Sequence, residues 1–168
     1  MPRFKWLEMF GKFAVAMVAV VVGQGILAYK FRVFSYFDFP LVCTVYYGFT
    51  MGNPIASILM GSSLGLMQDS LSASILGTNG FSKTLIGFLA ASAGSKFAVD
   101  QPITRILALF LFTLGDGLLV TMLALMTSPA GNTTYSGAVA GWLLSATFNT
   151  LLGLVLFEYR DRLNHATA

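Results

Sequence analysis

From Phe13 to Phe157 apolar stretches follow one another with little interruption, and the charged residues fall almost entirely in the gaps between them. Inside hydrocarbon every backbone N–H and C=O must be bonded within the protein, so only helices and closed barrels can span. The apolar residues come in blocks rather than in strict alternation, which removes the barrel. Hydrophobic residues make up 56% of the chain and charged residues 10%, against about 25% charged in an ordinary soluble domain. The pattern predicts an all-α, polytopic membrane protein.

The 168 residues leave room for about six spans of roughly 20 residues each. The expected organisation is therefore one integral-membrane helical bundle over residues 1–168, with no separate soluble domain. A net charge of +3 invites a nucleic-acid reading. Lys and Arg lie at the edges of the apolar blocks, however, where membrane proteins carry topology signals, so no nucleic-acid partner is expected. The single cysteine, Cys43, lies in an apolar block, and the single histidine, His165, in a polar tail. No disulfide framework, metal set or cofactor is expected from such usage.

Arg3, Lys5 and Lys12 ahead of an apolar run have the look of a signal peptide. Ile26 and Ala28 make a poor small-x-small cleavage site, and a run of about 17 residues is within the spanning range. The reading is a retained first helix over Phe13–Tyr29.

Lys30, Arg32 and Asp38 then form a short polar connection rich in Phe and Tyr. The second segment, Phe39–Met51, covers only about 20 Å at ~1.5 Å per residue; it either borrows Val33–Phe37 or crosses in part. Gly52-Asn53-Pro54 predicts a tight turn, with Pro54 suited to the first helical position of the third span. That span runs through Gly61 and Gly65 to Gln68 and Asp69. Ser70–Ser82 reads as a loop or a broken helix, and Thr84–Lys96 as the fourth span, extended back to Phe81. Asp100-Gln101-Pro102 marks a turn, Ile106–Thr127 a fifth span containing Asp116, and Ser128–Tyr135 an uncharged turn. Ala138–Phe157 is the sixth span, followed by a tail with Glu158, Arg160, Asp161 and Arg162.

Lys and Arg alone set orientation. With the N-terminus inside, seven fall on the cytoplasmic side (Arg3, Lys5, Lys12, Lys96, Arg105, Arg160, Arg162) and three outside (Lys30, Arg32, Lys83). Both ends are expected in the cytoplasm. No internal repeat and no pair of inverted halves stands out.

Small residues recur four apart at Gly48 and Gly52, Gly61 and Gly65, Ala90 and Gly94, and Gly137 and Gly141. In lipid, helices associate through close backbone approach, which this spacing permits. Most of these faces are expected inside the bundle, with at least one toward a partner. Asp69 and Asp116 are carboxylates at membrane depth, where a charge costs about 2.5–3.5 kcal/mol and is normally paired, neutralised or hydrated. The expectation for Asp69 is an ion pair with Lys83 across the loop joining spans three and four. Asp116 lacks an obvious cationic partner at its depth and is the better candidate for a functional group. Gln68, Asp69, Lys83, Asp116, Gly61 and Gly65 are the candidate structural or partner-contact residues.

No catalytic set is present: there is no Ser/His/Asp arrangement, no Walker-type loop and no His/Cys metal spacing. An aspartyl dyad of Asp69 and Asp116 would need both carboxylates within a few ångströms, which their depths, near the rim and near the centre, oppose. Asn132-Thr133-Thr134 matches a glycosylation sequon, a pattern common by chance.

The run Phe39–Ala91 resembles the bacterial rod-shape-determining MreD family. The resemblance rests on Asp38-Phe39-Pro40-Leu41 leading to Val45-Tyr46-Tyr47. It continues in Gly52-Asn53-Pro54, Gly61 and Gly65-Leu66-Met67-Gln68-Asp69-Ser70-Leu71-Ser72, and ends in Leu76-Gly77 and Lys83-Thr84-Leu85-Ile86-Gly87-Phe88-Leu89. It covers about a third of the chain closely; Ser72-Ala73 departs from the serine and glycine frequent in the family. The resemblance implies a fold similar to the substrate-binding subunits of energy-coupling-factor vitamin transporters and a non-enzymatic role. Its implied partners are a single-span MreC-like protein, a peptidoglycan polymerase with a class B penicillin-binding protein, and the actin-like filament beneath the membrane. Two function classes stay open: a scaffold of the wall-elongation complex, and a vitamin-capturing transporter subunit on the same architecture. For the latter, Ala19 and Gly23 give only a loosened version of the small-residue docking motif expected in span one.

Overall fold

The computed structural model describes residues 2–72, 75–96, 101–127 and 135–166. Among these residues it has six α-helices, one short 3-10 helix and no strand. The helices are α1 (Pro2–Lys30), α2 (Phe39–Met51), α3 (Pro54–Ser72), α4 (Thr78–Gly94), α5 (Pro102–Thr127) and α6 (Tyr135–Ala166), with the 3-10 turn at Arg32–Tyr36 between the first two.

Several boundaries follow from local chemistry. The second segment has the bounds read from the sequence, because Asp38 caps it: one carboxylate oxygen accepts from Leu41 N at 3.0 Å, and Pro40 sits in the first turn. Val33–Phe37 does not lengthen it; Arg32–Tyr36 forms the separate 3-10 turn, and Phe37 is extended. Gly52 ends α2 in the left-handed conformation (φ 57°), and Pro54 opens α3. Of Ser70–Ser82, expected as a loop or a broken helix, α3 takes the residues to Ser72 and α4 those from Thr78, after Gly77 at φ 102°. The fifth helix likewise starts at Pro102, ahead of the expected Ile106. The Ser128–Tyr135 turn and the Asn132 sequon lie outside the described residues, apart from Tyr135 at the start of α6.

Helix α4 is the centre of the packing, with α2, α3 and α5 against it. Glycines permit this. A Cβ at Gly61 would run into the Lys83 carbonyl, one at Gly65 into the Asn79 carbonyl, and one at Gly48 would come within 2.9 Å of the Ala90 Cβ. Gly94 returns the contact, its Cβ position lying 3.0 Å from Phe49 Cα. Gly48, Gly61, Gly65, Ala90 and Gly94 are thus internal packing positions, whereas Gly141 has nothing within 4 Å.

The distribution of polarity is inverted relative to a water-soluble bundle. Lys83, Asp69, Asp116, Arg105 and Asn149 are buried, while Ile55, Leu59, Leu107, Leu111, Met122, Leu151 and Val155 are exposed. On α5 the buried set Arg105, Leu109, Thr113 and Asp116 recurs at the three-to-four-residue spacing of one helix face,. Two helices, Pro102–Thr127 and Val139–Tyr159, are long and apolar enough to cross a membrane. Their buried shares are only 17% and 22%, which sets them apart from the core helices of a soluble protein. An outer surface of this kind is suited to lipid.

Candidate functional site

The buried charges meet at the end of the bundle where α2 and α4 begin. Lys83 is wholly buried, and its ammonium lies 2.9 Å from Asp38 Oδ2 and 3.6 Å from Asp116 Oδ2. It also donates to Asn79 Oδ1 at 3.2 Å. Asp116 accepts from the Ser82 hydroxyl at 2.6 Å. Asp38 therefore does two jobs, one oxygen capping α2 and the other holding Lys83. Its own backbone N–H donates to Asn149 Oδ1 on α6 at 2.8 Å.

Asp69 is used differently from the expectation. Its carboxylate faces the first turn of α4, accepting from Gly77 N (2.9 Å), Asn79 N (3.1 Å), Gly80 N (3.1 Å) and Asn79 Nδ2 (2.8 Å). The first N–H groups of a helix have no partner within it and carry a partial positive charge, so an anion there is stabilised on both counts. Gly77 supplies no side chain to cap with; Asp69 supplies the cap from the neighbouring helix. The predicted Asp69–Lys83 ion pair is replaced by an indirect link through the Asn79 side chain. Asp116, expected to lack a cation, has Lys83. The reason lies in helix phase: Lys83 is five residues into α4, past the turn that Asp69 covers, and points toward α2 and α5.

Gln68, Gly61 and Gly65 take supporting positions. Gly61 and Gly65 let the α4 backbone at Lys83 and Asn79 approach α3. Gln68 leaves its Oε1 buried without a partner and lines a cavity of about 130 Å³ with Asp38, Asp116, Trp142 and Asn149. Across the 3-10 junction, Gln24 of α1 donates to Phe37 O at 2.9 Å and accepts from Phe39 N at 3.2 Å, fixing the entry to α2. Asp38, Asn79, Ser82, Asn149 and Gln24 were not singled out from the sequence. Asp38 carried a usable signal, the Asp-x-Pro opening of a helix, and Asn149 another, a polar amide in an apolar block.

A second ionic contact joins α5 to α6. Arg105 Nη1 donates to Asp161 Oδ2 at 2.6 Å, and its guanidinium lies 4.8 Å from the Phe157 ring centroid. Arg105 lies eleven residues before Asp116, so the two clusters are about 16 Å apart along the helix.

Among the described residues, helices that turn apolar side chains outward and pair buried charges inside are consistent with a membrane protein. The matching family model, rod shape-determining protein MreD, spans residues 4–162, and the chain belongs to that family. Membership gives it a role in determining rod shape. Neither a curated protein nor a solved structure matches the chain.

Proposed function

We propose that this protein is a non-enzymatic membrane scaffold of the cell-elongation complex. It crosses the bacterial inner membrane six times with both ends in the cytoplasm, as one helical-bundle domain. It regulates wall synthesis by presenting helix surfaces to an MreC-like single-span protein and to the polymerase and class B penicillin-binding protein pair, linking them to the actin-like filament. The observation that carries the reading is the division of labour between inside and outside: the buried ionic groups are paired within the bundle, and the exposed helix faces are apolar. What such a molecule offers its surroundings is shape in lipid, where association depends on close packing. The Lys and Arg asymmetry, seven against three, supports the orientation,.

The test is co-purification with an MreC-like protein from cells expressing single bulky substitutions on exposed faces. Gly141→Leu, Leu111→Trp and Val155→Trp leave the internal packing alone. Loss of the partner in at least one of them, with the monomer still folded, is the expected result. Retention of the partner in every such variant, across all exposed faces, would overturn the reading. The transporter-subunit alternative, with the energy-coupling-factor fold the family resemblance implies, calls for a vitamin-sized site. The cavity beside the ion network, about 130 Å³, is smaller than the roughly 300–1,000 Å³ of sites for drug-sized ligands, and the larger hollow of about 490 Å³ is lined by Leu154, Val155, Glu158, Tyr159 and Arg162 of the single helix α6 and encloses nothing between helices. Reporter fusions after Arg162 and near Arg105 are expected to read cytoplasmic.

A further inference from the structure

The cavity beside the ion network has a wall of unusual composition. Asp38 and Asp116 both line it. Their two negative charges share one positive charge, Lys83, so the cluster carries a formal charge of −1. Tyr36, Phe37 and Trp142 add aromatic surface; Tyr36 stacks on Phe148, and Phe37 meets the same ring at a tilt. Gly117 makes room for the Trp142 indole: a Cβ there would lie 2.9 Å from its Cδ1.

Two of the residues lining the cavity each carry a buried polar atom without a partner. Asn149 is 0% exposed, and its Nδ2 has no acceptor. The orientation of that amide is fixed, because Oδ1 accepts from the Asp38 backbone N–H; the free atom is therefore a donor. Gln68 Oε1 is a buried acceptor without a donor. Buried polar groups are almost always hydrogen-bonded, so orphans in one cavity point to an occupant.

We propose that this cavity binds a small organic ammonium group, of the size of a protonated ethanolamine head. A positive charge offsets the excess carboxylate, and its N–H groups donate to the carboxylates and to Gln68 Oε1. The aromatic faces attract a cation through their quadrupoles. An oxygen two carbons away accepts from Asn149 Nδ2. Water meets the amides but not the charge, and a bare metal ion meets the carboxylates while leaving the Nδ2 donor facing a cation. A second cleft of about 140 Å³, lined by Val21, Gly25, Ala28 and Leu71, shares Gln24 and Gln68 with the first. It lies between α1 and α3, next to the first cavity on its apolar flank. The ammonium has two sources, an aminophospholipid headgroup from that flank or a free amine. The proposal stands independently of the scaffold reading.

The full chain, purified in detergent, is titrated with ethanolamine hydrochloride by calorimetry, with sodium chloride as the control. In parallel, native mass spectrometry records whether phosphatidylethanolamine is retained in preference to phosphatidylglycerol. Trp142→Leu removes aromatic wall, and Ser145→Leu fills the cavity; neither touches an ion pair, and the thermal unfolding of each is checked. Saturable ethanolamine binding, weakened roughly tenfold or more by Trp142→Leu and lost in Ser145→Leu, supports a free-amine site. Retained phosphatidylethanolamine that disappears in both variants supports the headgroup. The proposal is overturned if neither amine binds, if sodium competes equally at the same concentration, or if binding is unchanged in the folded variants.

Discussion

Helix α5 carries one charge cluster near its start, at Arg105, and another near its middle, at Asp116, on the same face, and the two are built on different principles. Around Asp116, the Lys83 ammonium is fully buried between two carboxylates from two other segments, with Ser82 and Asn79 completing the shell. Around Arg105, the pair reaches Asp161, whose side chain is 34% exposed. The first cluster sits beside closely packed backbone, since glycines bring α3 and α4 to contact distance. The second lies in the last turns of α6, where the Asp161 side chain is partly exposed. Burial turns the same chemistry into different consequences. A buried pair broken on one side leaves an uncompensated charge, while a partly solvated one can be rehydrated.

The largest expected effect is at Lys83. Lys83→Met leaves Asp38 and Asp116 facing each other without a cation, and breaking a buried pair costs about 3–5 kcal/mol. Chemical unfolding in detergent is expected to show this loss, or no folded protein to be recovered. Adding Asp116→Asn to Lys83→Met should recover part of it, since contacting residues couple. If the double variant is no better than the single one, the triad is not an energetic unit.

The glycine contacts that build the first cluster come next. Gly61→Leu drives side-chain atoms into the Lys83 carbonyl, and overpacking costs about 1–3 kcal/mol or more. Folded yield should collapse, while Gly141→Leu, with open space at its Cβ, should leave it unchanged. Equal yields from the two would refute the internal assignment of the Gly61 face.

Asp69 is expected to matter less. Asp69→Ala removes a cap from α4, a change worth about 0.5–2 kcal/mol, and Asp69→Asn should preserve part of the cap. A charge swap, Asp69→Lys with Lys83→Asp, should be worse than either single change, because it puts a cation at a helix N-terminus and a third carboxylate beside Asp38 and Asp116. Rescue by the swap, measured as unfolding midpoint, would restore the direct pairing that the geometry replaces.

The smallest effect is at the second cluster. Asp161→Asn is expected to cost about 1 kcal/mol or less, as partly exposed pairs do. Added salt should shrink the difference between Asp161→Asn and the parent protein, because exposed charges are screened. The difference for Lys83→Met should not respond to salt. Identical salt dependence in the two would erase the distinction between the clusters.

Membership of a membrane-protein class and the extent of several helices were legible in the chain itself. Hydrocarbon imposes a length and a composition on every segment that crosses it, and caps such as Asp38, Gly52 and Pro54 mark ends locally. The segment Phe39–Met51 has the bounds read from the sequence, although whether Val33–Phe37 lengthens it is open there and is decided by the 3-10 turn at Arg32–Tyr36. The early start of α4 was not legible, because its capping group is Asp69, eight residues before Gly77 and on a different helix. The pairing of Lys83 was equally out of reach. Sequence distance favours Asp69, fourteen residues away, over Asp116, thirty-three residues away. Only the rotation of α4 against α2 and α5, set where Gly48 meets Ala90 and Gly61 meets the Lys83 backbone, decides which carboxylates the ammonium reaches. Local chemistry determined where helices start and stop; side-chain direction across helices is a property of packing, and packing exists only once the bundle has closed.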